Sequence, residues 1–135
     1  MRPLVVQPVI RSDKAGDGHF QAPRGTRMHN GVDYLCEPGT LVFSPASGVV
    51  TKLGYPYSDD LQWRYVEITD DYKNKHRLFY TEPAVRLDQF VIVGEVVGEA
   101  QNIALRYPDQ GMLAHLHYEV ISPDGVFVDP EGTHS

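Results

Sequence analysis

Apolar residues along this chain recur mostly at a period near two, in short runs broken by turn signals. Runs at 41–43, 48–53, 64–69, 77–81, 91–93, 96–97, 113–121 and 126–128 predict β-strands. Between them stand Glu37-Pro38-Gly39, Ser44-Pro45, Ser47-Gly48, Gly54-Tyr55-Pro56 and Pro123-Asp124-Gly125, the punctuation of an antiparallel sandwich or barrel. One stretch has helical spacing: Ala100, Ile103, Ala104 and Tyr107 share a face within 99–107, and Pro108 closes it. The pattern therefore predicts an all-β, antiparallel, barrel-like sandwich with one short helix. Two loops, 12–27 and 58–62, are polar and carry Gly, Pro and Asp. The first is long enough to border a site, or to be an N-terminal arm.

The 135 residues fit one compact domain. With 41% hydrophobic and 22% charged residues the composition is that of a folded, turn-rich protein. The balance of 12 Lys and Arg against 18 Asp and Glu gives a net charge of −6, and no basic run exceeds two residues. The attraction to phosphates on which nucleic-acid binding relies is missing, and nucleic acid is set aside as a partner. Cys36 is the single cysteine, so no intramolecular disulfide forms and stability must come from a core or a bound metal. The stretch 1–10 is interrupted by Pro3, Gln7 and Pro8. It predicts neither a signal segment nor a membrane span.

The chemistry concentrates in histidines. Of His19, His29, His76, His115, His117 and His134, two groups have local spacing that brings side chains together. In His29-Asn30-Gly31-Val32-Asp33 the first and last residues lie four positions apart; in extended chain they point to one side, and Gly31 lets the backbone turn tightly. In His115-Leu116-His117 the strand period puts both imidazoles on one face. Catalytic zinc takes three protein ligands of this type and keeps one position for water, a count met by His29, Asp33 and one of His115 and His117. Spacing alone leaves open which of the two it is, and whether they are merely surface histidines.

The wider sequence resembles the lysostaphin-type zinc metallopeptidases. The stretch from Gly18-His19-Phe20 through His29-Asn30-Gly31-Val32-Asp33 is similar to their first signature. Pro38-Gly39-Thr40, Ser44-Pro45-Ala46 and Ser47-Gly48-Val49-Val50 are similar to their turn and first core hairpin. His115-Leu116-His117-Tyr118-Glu119-Val120 with Val128-Asp129-Pro130 is similar to their closing signature. The resemblance covers residues 18–130, leaving 1–17 as an N-terminal arm and 131–135 as a C-terminal tail. It implies a duplicated-hybrid-motif β fold, zinc held by His29, Asp33 and His117, and His115 beside the metal-activated water. It also implies cleavage of peptide cross-links or bridges in bacterial peptidoglycan. For a chain of this kind, of phage or prophage origin, the expected place of action is the cell wall, reached after lysis or as part of a virion.

One position departs from the pattern. The family carries a further histidine two residues after a Tyr on a central strand, and here Tyr80-Thr81-Glu82 puts a carboxylate there. Glu82 is thus the second catalytic candidate beside His115. A carboxylate serves as a general base, but while ionised it cannot donate to a developing oxyanion. The segments 29–36, 54–57 and 79–83, with Tyr107-Pro108 ahead of His115, are also similar to the vertebrate leukocyte cell-derived chemotaxins. Those proteins keep the zinc ligands, lack the same histidine and act as signalling ligands. The alternative to an endopeptidase is therefore a catalytically degenerate zinc module that binds peptidoglycan or a protein partner. Glu119 is expected to accept the N–H of a ligand imidazole.

Overall fold

A computed structural model describes residues 10–13, 16–24 and 27–133. Residues 1–9 and His134 lie outside them. The chain forms β1 (Ser12–Asp13), β2 (Gly16–Asp17), β3 (Pro23–Arg24), β4 (Arg27–Met28), β5 (Val32–Leu35), β6 (Leu41–Phe43) and β7 (Gly48–Gly54). There follow β8 (Tyr65–Asp70), β9 (Lys75–Phe79), β10 (Thr81–Pro83), β11 (Phe90–Val91), β12 (Val96–Ala100), β13 (His115–Ile121) and β14 (Phe127–Val128). Single 3-10 turns occupy Ile103–Arg106 and Pro130–Thr133.

Among the described residues all strand pairings are antiparallel. The main sheet runs β11-β7-β8-β9-β13, and the far edge of β13 is shared by β5 and β14. A smaller sheet runs β10-β12-β6, and the pairs β1-β2 and β3-β4 are separate hairpins. The sheets stay distinct and do not close into a barrel. Strand alternation explains the core: Val66 and Ile68 of β8, Leu78 of β9, and Leu116, Tyr118 and Val120 of β13 meet Val42 and Val97 of the smaller sheet. These side chains are essentially sealed from solvent.

The expected helix at 99–107 is not formed. Glu99 and Ala100 belong to β12 and pair with Glu82 and Thr81 of β10. Two ladder partners outweigh a weak helical preference, and Asn102 then takes a non-helical backbone conformation. Only the 3-10 turn remains, anchored by buried Ile103. The apolar pattern missed the two-residue strands β1 to β4, the short β10, and β5, whose four residues include Asp33 at a buried position. Residues 10–13 are packed against the body: Ile10 bridges Tyr34, and the Arg11 backbone N–H donates to the Asp33 carbonyl at 2.8 Å.

Candidate metal centre

The register of three strands builds the site. Asp33 on β5 stands directly across from His117 on β13, which stands across from Phe79 on β9. Because side chains directly opposite share a face, Asp33, His117 and Phe79 form one row. His115 and Glu119 lie two residues either side of His117 and project the same way, while Leu116, Tyr118 and Val120 turn into the core. The row thus lies on the face of the main sheet away from its apolar core. His29 enters from the loop before β5, held by its backbone N–H on the Ala22 carbonyl at 2.8 Å and by its own carbonyl accepting from the Gln21 N–H at 2.8 Å.

Three donor atoms converge. His29 Nε2 is 3.0 Å from His117 Nδ1 and 3.1 Å from Asp33 Oδ1, and His117 Nδ1 is 2.8 Å from the same oxygen. Ligand atoms of a tetrahedral zinc, at bond lengths of about 2.0–2.1 Å, are separated by about 3.3 Å. The triangle is a slightly contracted face of that tetrahedron. The other ring nitrogens settle the tautomers. His29 Nδ1–H donates to the His19 carbonyl at 3.0 Å, and His117 Nε2–H donates to Glu119 Oε1 at 2.9 Å. Both remaining nitrogens therefore aim lone pairs at an ionised oxygen, an arrangement that fits a cation. Such a donor set, two imidazoles and a carboxylate, matches zinc.

The surroundings hold the charges in place. Asp33 is 3% exposed. Burial works against its charge, yet the His117 and His29 imidazoles beside it hold the carboxyl well below the usual carboxylate range. Burial likewise opposes charge on His117, but the Asp33 and Glu119 carboxylates outweigh it and push the imidazole up to about 9, so a cation binding at Nδ1 displaces a proton. The second oxygen of Asp33 accepts from Arg11 Nε at 3.1 Å, and Arg11 Nη1 binds Asp13 Oδ1 at 2.8 Å. Arg11 is 2% exposed, a buried guanidinium fixed between two carboxylates. Its role had no signal in the sequence, since it lies 22 residues before Asp33 in the stretch expected to be an arm.

An open cleft of about 480 Å³ lies over the cluster. His115 borders it; its Nδ1–H donates to the Leu113 carbonyl at 2.8 Å, leaving Nε2 as a free base 3.7 Å from Asp33 Oδ2. Burial lowers its pKa from the ordinary histidine value. The cleft also contains Phe79, Tyr80, Tyr57 and Tyr107. Phe79 meets His117 edge-on, with ring centres 5.1 Å apart.

Among the expected site residues, His29, Asp33, His115 and His117 come together, with Glu119 behind His117 as anticipated. Glu82 does not join them. It is exposed on β10, paired with Glu99, and does not line the cleft. The cause is a kink: Tyr80 has φ of 68°, a left-handed conformation costly for a bulky residue. Consecutive Phe79 and Tyr80 both face the cleft, which a regular strand forbids. Beyond the kink the chain leaves the main sheet and joins the smaller one as β10, with Thr81 buried and Glu82 in solvent. His76 points to the opposite face, between Asp70 and the Tyr118 hydroxyl at 2.8 Å each.

The family model described as Peptidase family M23 matches residues 27–130. Leukocyte cell-derived chemotaxin-2 of Mus musculus is 30% identical over 112 residues, spanning 79% of this chain and 69% of its own length. Among solved structures, the catalytic domain of a variant of the prophage-encoded M23 protein EnpA from Enterococcus faecalis superposes with a TM-score of 0.68 at 20% identity, covering 96% of this chain and 94% of that one. The catalytic domain of the antimicrobial peptidase lysostaphin from Staphylococcus simulans gives 0.67 at 20% identity, covering 85% and 86%.

Proposed function

The chain belongs to peptidase family M23, and from that premise we propose that it is a zinc-dependent endopeptidase cleaving peptide cross-links or bridges of bacterial peptidoglycan. The carrying observation is the convergence of His29 Nε2, Asp33 Oδ1 and His117 Nδ1 under an open cleft that also presents the free Nε2 of His115. Zinc, when bound by that triad, supplies a Lewis acid that polarises a carbonyl and lowers the pKa of water toward ~7.

The chain's own residues supply the rest. His115, kept neutral by burial, accepts the proton of the attacking water at Nε2 and returns it to the leaving amine. The hydrogen bond to the Leu113 carbonyl fixes its ring during both transfers. Glu119 and the His19 carbonyl hold the ligand imidazoles in the tautomers that leave their inner nitrogens free. The openness of the cleft suits a polymeric substrate laid across the sheet rather than a small molecule enclosed by it. A phage or prophage product acting at the wall after lysis, or within a virion, fits this reading.

The experiment is incubation of the zinc-loaded protein with purified sacculi, followed by mass spectrometry of released fragments for new amino termini. Cleavage is expected, and His115→Ala should cut turnover by about 10²- to 10⁴-fold with zinc retained. The position of Glu82 in solvent favours a second reading, a catalytically degenerate zinc module that binds peptidoglycan or a protein partner. Zinc-loaded protein that sediments with sacculi and releases no new amino termini would replace the first reading with the second.

A further inference from the structure

Beside His115 the cleft holds a continuous file of phenols. Tyr80 Oη is 3.1 Å from Tyr57 Oη, which is 2.8 Å from Tyr107 Oη. Arg106 closes the file: its Nε reaches Tyr107 Oη at 3.4 Å, and its guanidinium lies over the Tyr57 ring at 3.7 Å. The four residues come from three separate places, the loop after β7, the kink between β9 and β10, and the 3-10 turn with the residue after it. The strained backbone at Tyr80 is what turns its side chain into the cleft. Its ring stands perpendicular to His115, with centres 5.5 Å apart.

Guanidinium has donors and no acceptor, so Arg106 donates to Tyr107, while each phenol–phenol contact can run either way. When Tyr107 donates to Tyr57 and Tyr57 to Tyr80, the Tyr80 proton is left for an acceptor in the cleft. Resting on the endopeptidase reading, we propose that Tyr80 is a catalytic residue that donates a hydrogen bond to the oxyanion developing on the scissile carbonyl. Tyr57, Tyr107 and Arg106 are positioning residues that orient and polarise it. No proton is transferred; the phenol stays intact and the bond shortens as negative charge grows. This is the contribution that an ionised Glu82 cannot make, even were it in the cleft. Burial holds the Tyr80 phenol well above the ordinary tyrosine value. The phenol therefore stays protonated and able to donate.

The test uses Tyr80→Phe and Tyr57→Phe in the full zinc-loaded chain, with zinc content and melting temperature measured first. A synthetic peptide bearing the cleaved bond gives kcat and KM, and the same peptide with a phosphinate at that bond mimics the tetrahedral state. Tyr80→Phe should lower kcat by about 10²-fold or more with KM within about threefold, as for loss of an oxyanion donor. It should weaken phosphinate binding by at least about tenfold while binding of the cleaved product stays unchanged. Tyr57→Phe should give the same split, smaller in size. Unchanged kcat and phosphinate affinity in Tyr80→Phe would overturn this inference and leave the endopeptidase reading standing. If wild type binds the phosphinate but cleaves nothing, the endopeptidase reading fails and the Tyr80 affinity ratio still decides the donor. Wild type that neither cleaves nor binds it overturns both.

Discussion

At the residue scale the telling feature is that the Asp33 carboxylate is shared. One oxygen faces the two imidazole nitrogens and the other is gripped by Arg11. Asp33→Ala removes a ligand outright, so stoichiometric zinc should be lost. Arg11→Met keeps every ligand but frees the carboxylate to rotate, and a lost supporting contact of this kind typically costs about 10- to 100-fold in metal affinity. Competition with a chromophoric chelator would measure both. Equal zinc affinity in wild type and Arg11→Met would show that Arg11 serves only the fold. The His29, Asp33 and His117 cluster was legible in the sequence because strand period and family pattern act over a few residues. Arg11 was not, because only folding brings it to Asp33.

At the element scale the site depends on the register between β5 and β13, which places Asp33 opposite His117. Gly31 sets the approach of the two strands. A Cβ there would run into the Tyr118 carbonyl and come within 3.0 Å of His117 Cε1. Since Tyr118 O is backbone, β13 itself would have to shift. Gly31→Ala should therefore destabilise by about 1–3 kcal/mol, the usual cost of overpacking, and weaken zinc binding together with stability. Chemical denaturation beside zinc titration checks this; an unperturbed midpoint would mean that the loop yields instead. The expected strands at 41–43 and 48–53 recur almost unchanged as β6 and β7, where Val42 and Val50 alternate with more exposed neighbours. The expected helix failed because its first two residues, Glu99 and Ala100, are claimed by Glu82 and Thr81 of β10, far outside the helical window.

At the scale of the whole molecule, acid should unfold the protein through two paired carboxylates on the main sheet. Glu67 is held by Arg77 at 2.8 Å, and Asp70 by His76 at 2.8 Å with backbone N–H groups of Tyr72 and Asn74. Burial opposes both charges, but these hydrogen bonds prevail and lower both pKa values. A folded value below the unfolded one, near ~4, means that the unfolded chain binds more protons as pH falls. The stabilisation is thus full above about pH 5 and is lost as pH falls through the depressed folded values. Urea midpoints between about pH 6 and pH 3 should drop along that limb, and Asp70→Asn should flatten it. Chelation is a second whole-molecule lever: zinc bound only by the native state stabilises it by about 2.7 kcal/mol at a free concentration of 100 times Kd. Removing it should lower the melting temperature, and an unchanged curve would mean that the site contributes little to the fold.

The sequence by itself determined the short-range features: the period of two that makes the strands, the turns that separate them, the single-face pairing of His115 and His117, and the spacing of His29 and Asp33. Each follows from backbone geometry within a handful of residues. Tertiary structure decided which atoms meet across the sheet. It chose His117 as the residue opposite Asp33, sealed Arg11 against the far carboxylate oxygen, and sent Glu82 to solvent through the kink at Tyr80. It also assembled Tyr57, Tyr80 and Tyr107 from distant segments into one hydrogen-bonded file. Register and kinks are set by contacts between strands, and a one-residue change in either exchanges the faces of every side chain that follows.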